Sequence, residues 1–195
     1  MRKKPNIWIS FVTGMLAFTI SQIVLRLPLL NMAQSKLSVR FFMMDHPVLY
    51  ILILAFTAGL FEEIARYMGF TCIKKNHHSL YDALAFGLGH GGVEAMLIVG
   101  IPLLQVQADI GDVSLALIER IFAMLAHVMM SLIVWYGVKE KAIRYLILAI
   151  FFHMGLDCYG LLGNNIWIIE GYLIVYVILL SIACHHFIIK KVKQL

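Results

Sequence analysis

The sequence predicts an all-α membrane protein, a polytopic bundle of about six transmembrane helices, or seven to eight if half-inserted segments are counted. Three observations carry this. First, 62% of the 195 residues are hydrophobic, against about 45–50% in a typical soluble domain. Second, the mean hydropathy is +0.88. Third, apolar runs of about 20 residues, enough to cross a hydrocarbon core about 30 Å thick, recur along the chain between short basic clusters.

The runs are Ile7 to Leu27, Pro47 to Phe70, Leu80 to Leu104, Ser114 to Gly137, Ile143 to Leu162 and Ile166 to Ile189. The opening stretch, MRKKPNIWISFVTGMLAF, has a basic head followed by an apolar run, like a signal peptide. Its apolar run outlasts the usual 7–15 residues, roughly, and no small-residue cleavage site follows. It is expected to be a retained first helix. Asn31 to His46 mixes apolar and basic residues and is expected to lie along the interface. No Gly/Ser linker or repeat divides the chain, so residues 1–195 read as one integral membrane domain.

Basic residues favour the cytoplasmic side. Arg2, Lys3 and Lys4 precede the first run; Lys74 and Lys75 follow the second; Lys139, Lys141 and Arg144 follow the fourth; Lys190, Lys191 and Lys193 follow the sixth. The connection with Asp109 and Asp112 holds no lysine or arginine. This alternation puts both termini in the cytoplasm, although Lys36 and Arg40 fit the first outer connection poorly. Reporter fusions after Gln105 and after Lys139 are expected to register opposite sides of the membrane. Agreement between them would overturn the topology.

The formal charge of +5 is spread over these clusters, so membrane topology explains it better than a nucleic-acid surface, and no nucleic-acid partner is expected. Cys72, Cys158 and Cys184 are odd in number, widely spaced and form no CxxC pair, which fits small buried hydrophobes.

Helices two to five carry charge where charge is expensive. The second holds Glu62, Glu63 and Arg66; the third His90 and Glu94; the fourth Glu119, Arg120 and His127; the fifth His153 and Asp157. On insertion scales a central charge costs about 2.5–3.5 kcal/mol, and a large apolar residue returns about 0.3–0.6. Three charges therefore cost the second helix roughly 8–10 kcal/mol, and its apolar residues return roughly 3–6. Such groups must meet partners on other helices or a water-filled cavity.

The spacing supports convergence. Glu62 and Arg66, His90 and Glu94, and His153 and Asp157 are each four residues apart and share a helix face. Counted from the cytoplasmic ends, Glu63, His153, His127 and His90 fall roughly 12–17 Å deep, near mid-membrane.

A carboxylate beside histidines in a shielded cavity can activate water. His90, His127 and His153, on three helices, could hold a divalent metal, zinc being the expected ion, with an open fourth position. Glu94 and Asp157 could orient imidazoles, Arg66 would hold Glu62 or Glu63 ionised, and Glu119 and Arg120 would support the layer. There is no HExxH, GxSxG or GxGD motif. The histidine pairs His77–His78 and His185–His186 sit near helix ends and read as interfacial.

Glu62-Glu63-x-x-Arg66, Phe86-x-x-x-His90 and His153-x-x-x-Asp157, in that order, resemble the signature of the CAAX-protease and PrsW superfamily of intramembrane peptidases. The EE-x-x-R spacing, the GHGGVE segment and the added ER…H of the fourth helix look most like its YhfC-type branch of predicted intramembrane metalloproteases. The resemblance spans Phe61 to Asp157. It implies that one glutamate of the pair activates water, that His90 assists, and that His153 and Asp157 stabilise an oxyanion or hold a metal. The substrate would be a membrane protein or peptide. Better-studied CAAX proteases usually have one more residue between glutamate and arginine, and asparagine in the last motif, so CAAX processing itself is not implied. The alternative reading is a secondary transporter or metal/proton carrier built on the same His/Glu cluster; the lack of a visible repeat weighs against it.

Overall fold

The computed structural model describes residues 7–73, 79–106 and 109–189. The basic clusters at residues 2–4, 74–75 and 190–193, and the pair His77–His78, lie outside them.

Every regular element among the described residues is helical, and six helices are long and apolar enough to cross a membrane. We label them, with one short helix between, as α1 (Ile7–Gln34), α2 (Leu37–Asp45), α3 (Pro47–Cys72), α4 (Leu80–Val106), α5 (Ile110–Lys139), α6 (Arg144–Asp157, extended by a 3-10 turn Cys158–Leu162) and α7 (Ile166–Cys184). The chain is an integral membrane helix bundle.

Local sequence explains the ends. Pro47 opens α3, where its missing N–H would have had no helical partner. Ser79 and Asp82 form a reciprocal capping box at the start of α4. Asp82 also accepts from Ser10 Oγ at 2.9 Å, pinning α1 to that end. Asn165 accepts from the Trp167 and Ile168 N–H groups to start α7, just after Gly163 turns the chain at φ +77°.

The first span runs past Leu27 to Gln34, further than its apolar run. Its middle, Thr19–Arg26, is π-helical, and the Leu27 N–H bonds the Gln22 carbonyl five residues back. Pro28 follows at once. α4 repeats the device: Ala95–Gly100 is π-helical, Ile101 N–H bonds Met96 O, and Pro102 follows. A proline ring inside an ordinary helix clashes with the carbonyl four residues back. The wider turn ahead of each proline relieves that clash and lets both helices continue. Of the segment expected at the interface, 31–34 completes α1 and Leu37–Asp45 forms the separate helix α2.

α5 is the central helix. Inside the bundle 61% of its spanning window is buried, against 22–39% for the others. Met130, Leu132, Val134 and Trp135 are enclosed. α4, α6 and α7 pack around it, α1 packs on α4, and α3 packs on α6. Small residues set the closest approaches. A Cβ at Gly14 would fall on the Phe86 carbonyl oxygen, and one at Gly89 on the Phe11 carbonyl oxygen, so α1 and α4 touch backbone to backbone. A Cβ at Gly59 would lie 2.9 Å from Ile150 O and 3.1 Å from His153 Cβ. Its absence lets α6 come close enough for His153 to reach α3.

Candidate active site

The polar stripes of α3 to α6 meet in one buried layer. Glu62, Glu63, Arg66, His90, His127 and His153 are each at most 4% exposed. Neighbouring residues on a helix point about 100° apart, so Glu62 and Glu63 serve different partners.

Glu62 Oε2 lies 2.9 Å from His90 Nε2, 3.6 Å from His153 Nε2 and 4.0 Å from His127 Nδ1. Glu63 turns the other way: its Oε1 is 2.8 Å from His153 Nδ1 and its Oε2 is 3.3 Å from Arg66 Nε. Arg66 therefore pairs with the second glutamate, while its other nitrogens donate to the His127 carbonyl at 2.8 Å, to Ser131 Oγ at 3.1 Å and to His127 Nδ1 at 3.2 Å.

These contacts assign hydrogens. A guanidinium only donates, so His127 Nδ1 accepts, and its hydrogen sits on Nε2, which meets Glu94 Oε2. The Glu63 carboxylate, paired with Arg66, accepts, so His153 Nδ1 donates and leaves Nε2 facing Glu62.

Glu94 thus meets His127 on α5, not His90 one turn before it on its own helix. Its other oxygen is 3.1 Å from Arg120 NH1, and Arg120 in turn contacts Glu119. Asp157 Oδ2 lies 3.7 Å from His153 Nε2, at the more open edge of the layer. His185–His186 lie at the far end of α7, away from these groups. All three cysteines are free thiols, but only Cys184 is buried as expected; Cys158 is half-buried and Cys72 is exposed on the outer face of α3.

Reading the sequence missed Gln22, Arg26 and Ser131. Gln22 Nε2 donates to Glu62 Oε1, and Arg26 NH1 donates to Gln22 Oε1 at 3.0 Å. The signal was present: Gln22 and Arg26 are four residues apart inside an apolar run, the same pattern that singled out the other helices.

A cavity of about 420 Å³ reaches the layer from the end that carries the α1–α3 connection. Glu62, Glu94, His127 and His153 line it, with Arg26 and Asp157 further out. Glu63, Arg66 and His90 do not line it. Phe18 stands edge-on to His90, ring centroids 5.4 Å apart, and closes one side.

Glu62, His90, Glu94 and His127 offer one ligand atom each, all within 4.8 Å of one another. Donors around one tetrahedral ion stand about 3.3–3.6 Å apart, so the group would have to close by about 1 Å to hold one. His90 Nδ1 is buried without a hydrogen-bond partner among the described residues, an unused polar atom of the kind that asks for an explanation. The residues fit such an ion.

Known proteins give the same direction. The chain matches the family described as YhfC intramembrane metalloprotease over residues 1–110 and 107–179. It is similar to an uncharacterized membrane protein, YhfC, of Bacillus subtilis (strain 168), at 33% identity over 56% of this chain and 55% of that one. The match covers about half the length of that curated relative. No solved structure matches. Matched along most of its length and carrying the buried Glu/His layer described above, the chain belongs to the YhfC intramembrane metalloprotease family.

Proposed function

We propose that the protein is an intramembrane peptidase of the bacterial plasma membrane, with both termini cytoplasmic. It hydrolyses a peptide bond in a membrane protein or membrane-associated peptide. The observation that carries this reading is a cavity whose floor holds a carboxylate, Glu62, against three imidazoles.

His90, His127 and Glu94 would hold a divalent metal, zinc in our reading, the cation at His127 replacing the Nε2 hydrogen. Two imidazoles and a carboxylate suit a hydrolytic site that keeps a position open. When bound, the ion lowers the pKa of water and polarises the scissile carbonyl.

The chain's own groups do the rest. Glu62 is the glutamate of the pair that faces the cavity, and it takes the proton from attacking water. His153 exchanges protons only at Nε2, because its Nδ1 is committed to Glu63. That nitrogen lies within 4 Å of both Glu62 and Asp157. As an imidazolium it donates to the developing oxyanion; as a neutral imidazole it receives the water proton from Glu62 and passes it to the leaving amine. Glu63 and Arg66, both sealed from the cavity, hold His153 and His127 in orientation.

The test is an unbiased comparison of membrane-protein fragments from cells with wild-type protein and with Glu62→Gln. Fragments present only with wild type are expected. Identical fragment sets, together with solute uptake into liposomes, would replace the peptidase by a transporter.

A further inference from the structure

Glu62 has two oxygens, and only one faces the histidines. Oε2 is the atom 2.9 Å from His90 Nε2 and 3.6 Å from His153 Nε2. Oε1 points to α1, where it accepts from Gln22 Nε2. An ionised carboxylate only accepts, so the NH₂ end of the Gln22 amide must face Glu62. Its other end gives the same sense independently. Arg26 NH1 reaches Gln22 Oε1 at 3.0 Å, and a guanidinium can only donate. The oxygen of Gln22 must face Arg26, and its NH₂ must face Glu62.

Arg26 is itself fixed from α3. Its NH2 donates to the Leu54 carbonyl at 2.7 Å and its Nε to Thr57 Oγ1 at 3.3 Å. The contacts therefore run from α3 through Arg26 and Gln22 on α1 and back to α3 at Glu62. Both intermediate residues sit in the wide turn Thr19–Arg26. Gln22 is buried, and both residues line the cavity.

We propose that Gln22 is a positioning residue that ties down Glu62 Oε1, so that Oε2 is the oxygen presented to water, and that Arg26 acts through Gln22 by fixing the sense of its amide. The assignment of Glu62 as the proton acceptor rests on the peptidase reading above. The tether itself rests only on these contacts. It leaves the carboxylate no freedom to rotate both oxygens toward the histidines, which keeps one lone-pair direction aimed at the reacting water.

The test uses the full chain in detergent micelles and two readouts. The infrared difference between wild type and Glu62→Gln isolates the Glu62 carboxylate stretch. The same difference taken in Gln22→Leu is expected at a shifted frequency, because one oxygen has lost its donor. Gln22→Asn, which keeps an amide but withdraws it by one methylene, is expected to shift the band in the same direction and guards against a leucine variant that fails to fold. Arg26→Lys keeps the charge and loses the fork; it is expected to shift the band in the Gln22 background and to add nothing in Gln22→Leu, the non-additivity of residues that act in series.

The second readout is cleavage of fluorescein-labelled casein. Gln22→Leu is expected to lose turnover by about 10–100-fold with KM unchanged, the usual cost of removing an orienting partner. An unchanged band in both Gln22 variants would overturn the tether. So would an equal effect of Arg26→Lys with and without Gln22. If the bands shift as expected while wild type leaves casein intact and yields no membrane-protein fragments, the tether stands and the peptidase reading falls.

Discussion

Glu62→Gln is expected to lower peptide hydrolysis by about 10²–10⁴-fold, the range for loss of a single general base, while yield and helix content stay at wild-type levels. The amide keeps the size of the side chain, and its oxygen can still accept from Gln22. What it loses is the ability to take a proton. Glu63→Gln is expected to behave differently. Glu63 is wholly buried and ion-paired with Arg66, which is equally buried. Removing one partner of a buried pair leaves an uncompensated charge, at a cost of about 3–5 kcal/mol. That variant should fall first in thermal stability and yield, with lost activity following from misplaced His153 and His127. Measuring turnover and melting temperature for both variants separates the two roles. Wild-type turnover in Glu62→Gln would remove it as the base.

Wild-type protein purified without a metal-affinity tag is expected to carry close to one divalent ion per chain, by elemental analysis. His90→Ala, His127→Ala and Glu94→Ala should each retain little, because a three-ligand site does not survive the loss of one ligand. His153→Ala should keep the ion and lose turnover, since His153 is committed to Glu63 and approaches the group only through Nε2. Affinity should weaken as pH falls, because a protonated imidazole has no lone pair to offer. Loss of metal in His153→Ala would restore the three-histidine set that the sequence suggested. Active protein without metal, indifferent to strong chelators, would sink the metal centre and leave water activation to Glu62 alone.

The bundle was legible because charge in lipid is expensive enough to mark its own location. The stripes on α3, α4 and α6 announced themselves as Glu62–Arg66, His90–Glu94 and His153–Asp157. Helical spacing told which residues share a face. It did not tell which helix lies opposite. Thus Glu94 meets His127 and not His90, and Arg66 pairs with Glu63 while Glu62 faces Gln22 and His90. The Glu94–His127 contact is set where α4 meets α5 at Gly87, whose Cβ would lie 2.6 Å from Val128 Cα, and at Gly91, whose Cβ would lie 3.3 Å from the His127 ring, a matter of packing between distant segments. Gln22 and Arg26 escaped notice because an apolar first run with a basic head reads as an anchor. The wide turns escaped too, since a proline in an apolar helix signals a break until the turn before it is seen.

Each wide turn stores one surplus residue. An ordinary helix of the same rise through Thr19–Arg26 or Ala95–Gly100 would need one fewer. These two places are therefore where chain length can change by a single residue while the flanking halves keep their faces. Elsewhere in a span such a change rotates everything beyond it by about 100° and tears polar groups from their partners. Both turns lie beside the buried layer, one containing Gln22 and the other starting directly after Glu94. In this bundle the cheapest change of length is also a change in the surroundings of Glu62 and Glu94, made without rebuilding the scaffold.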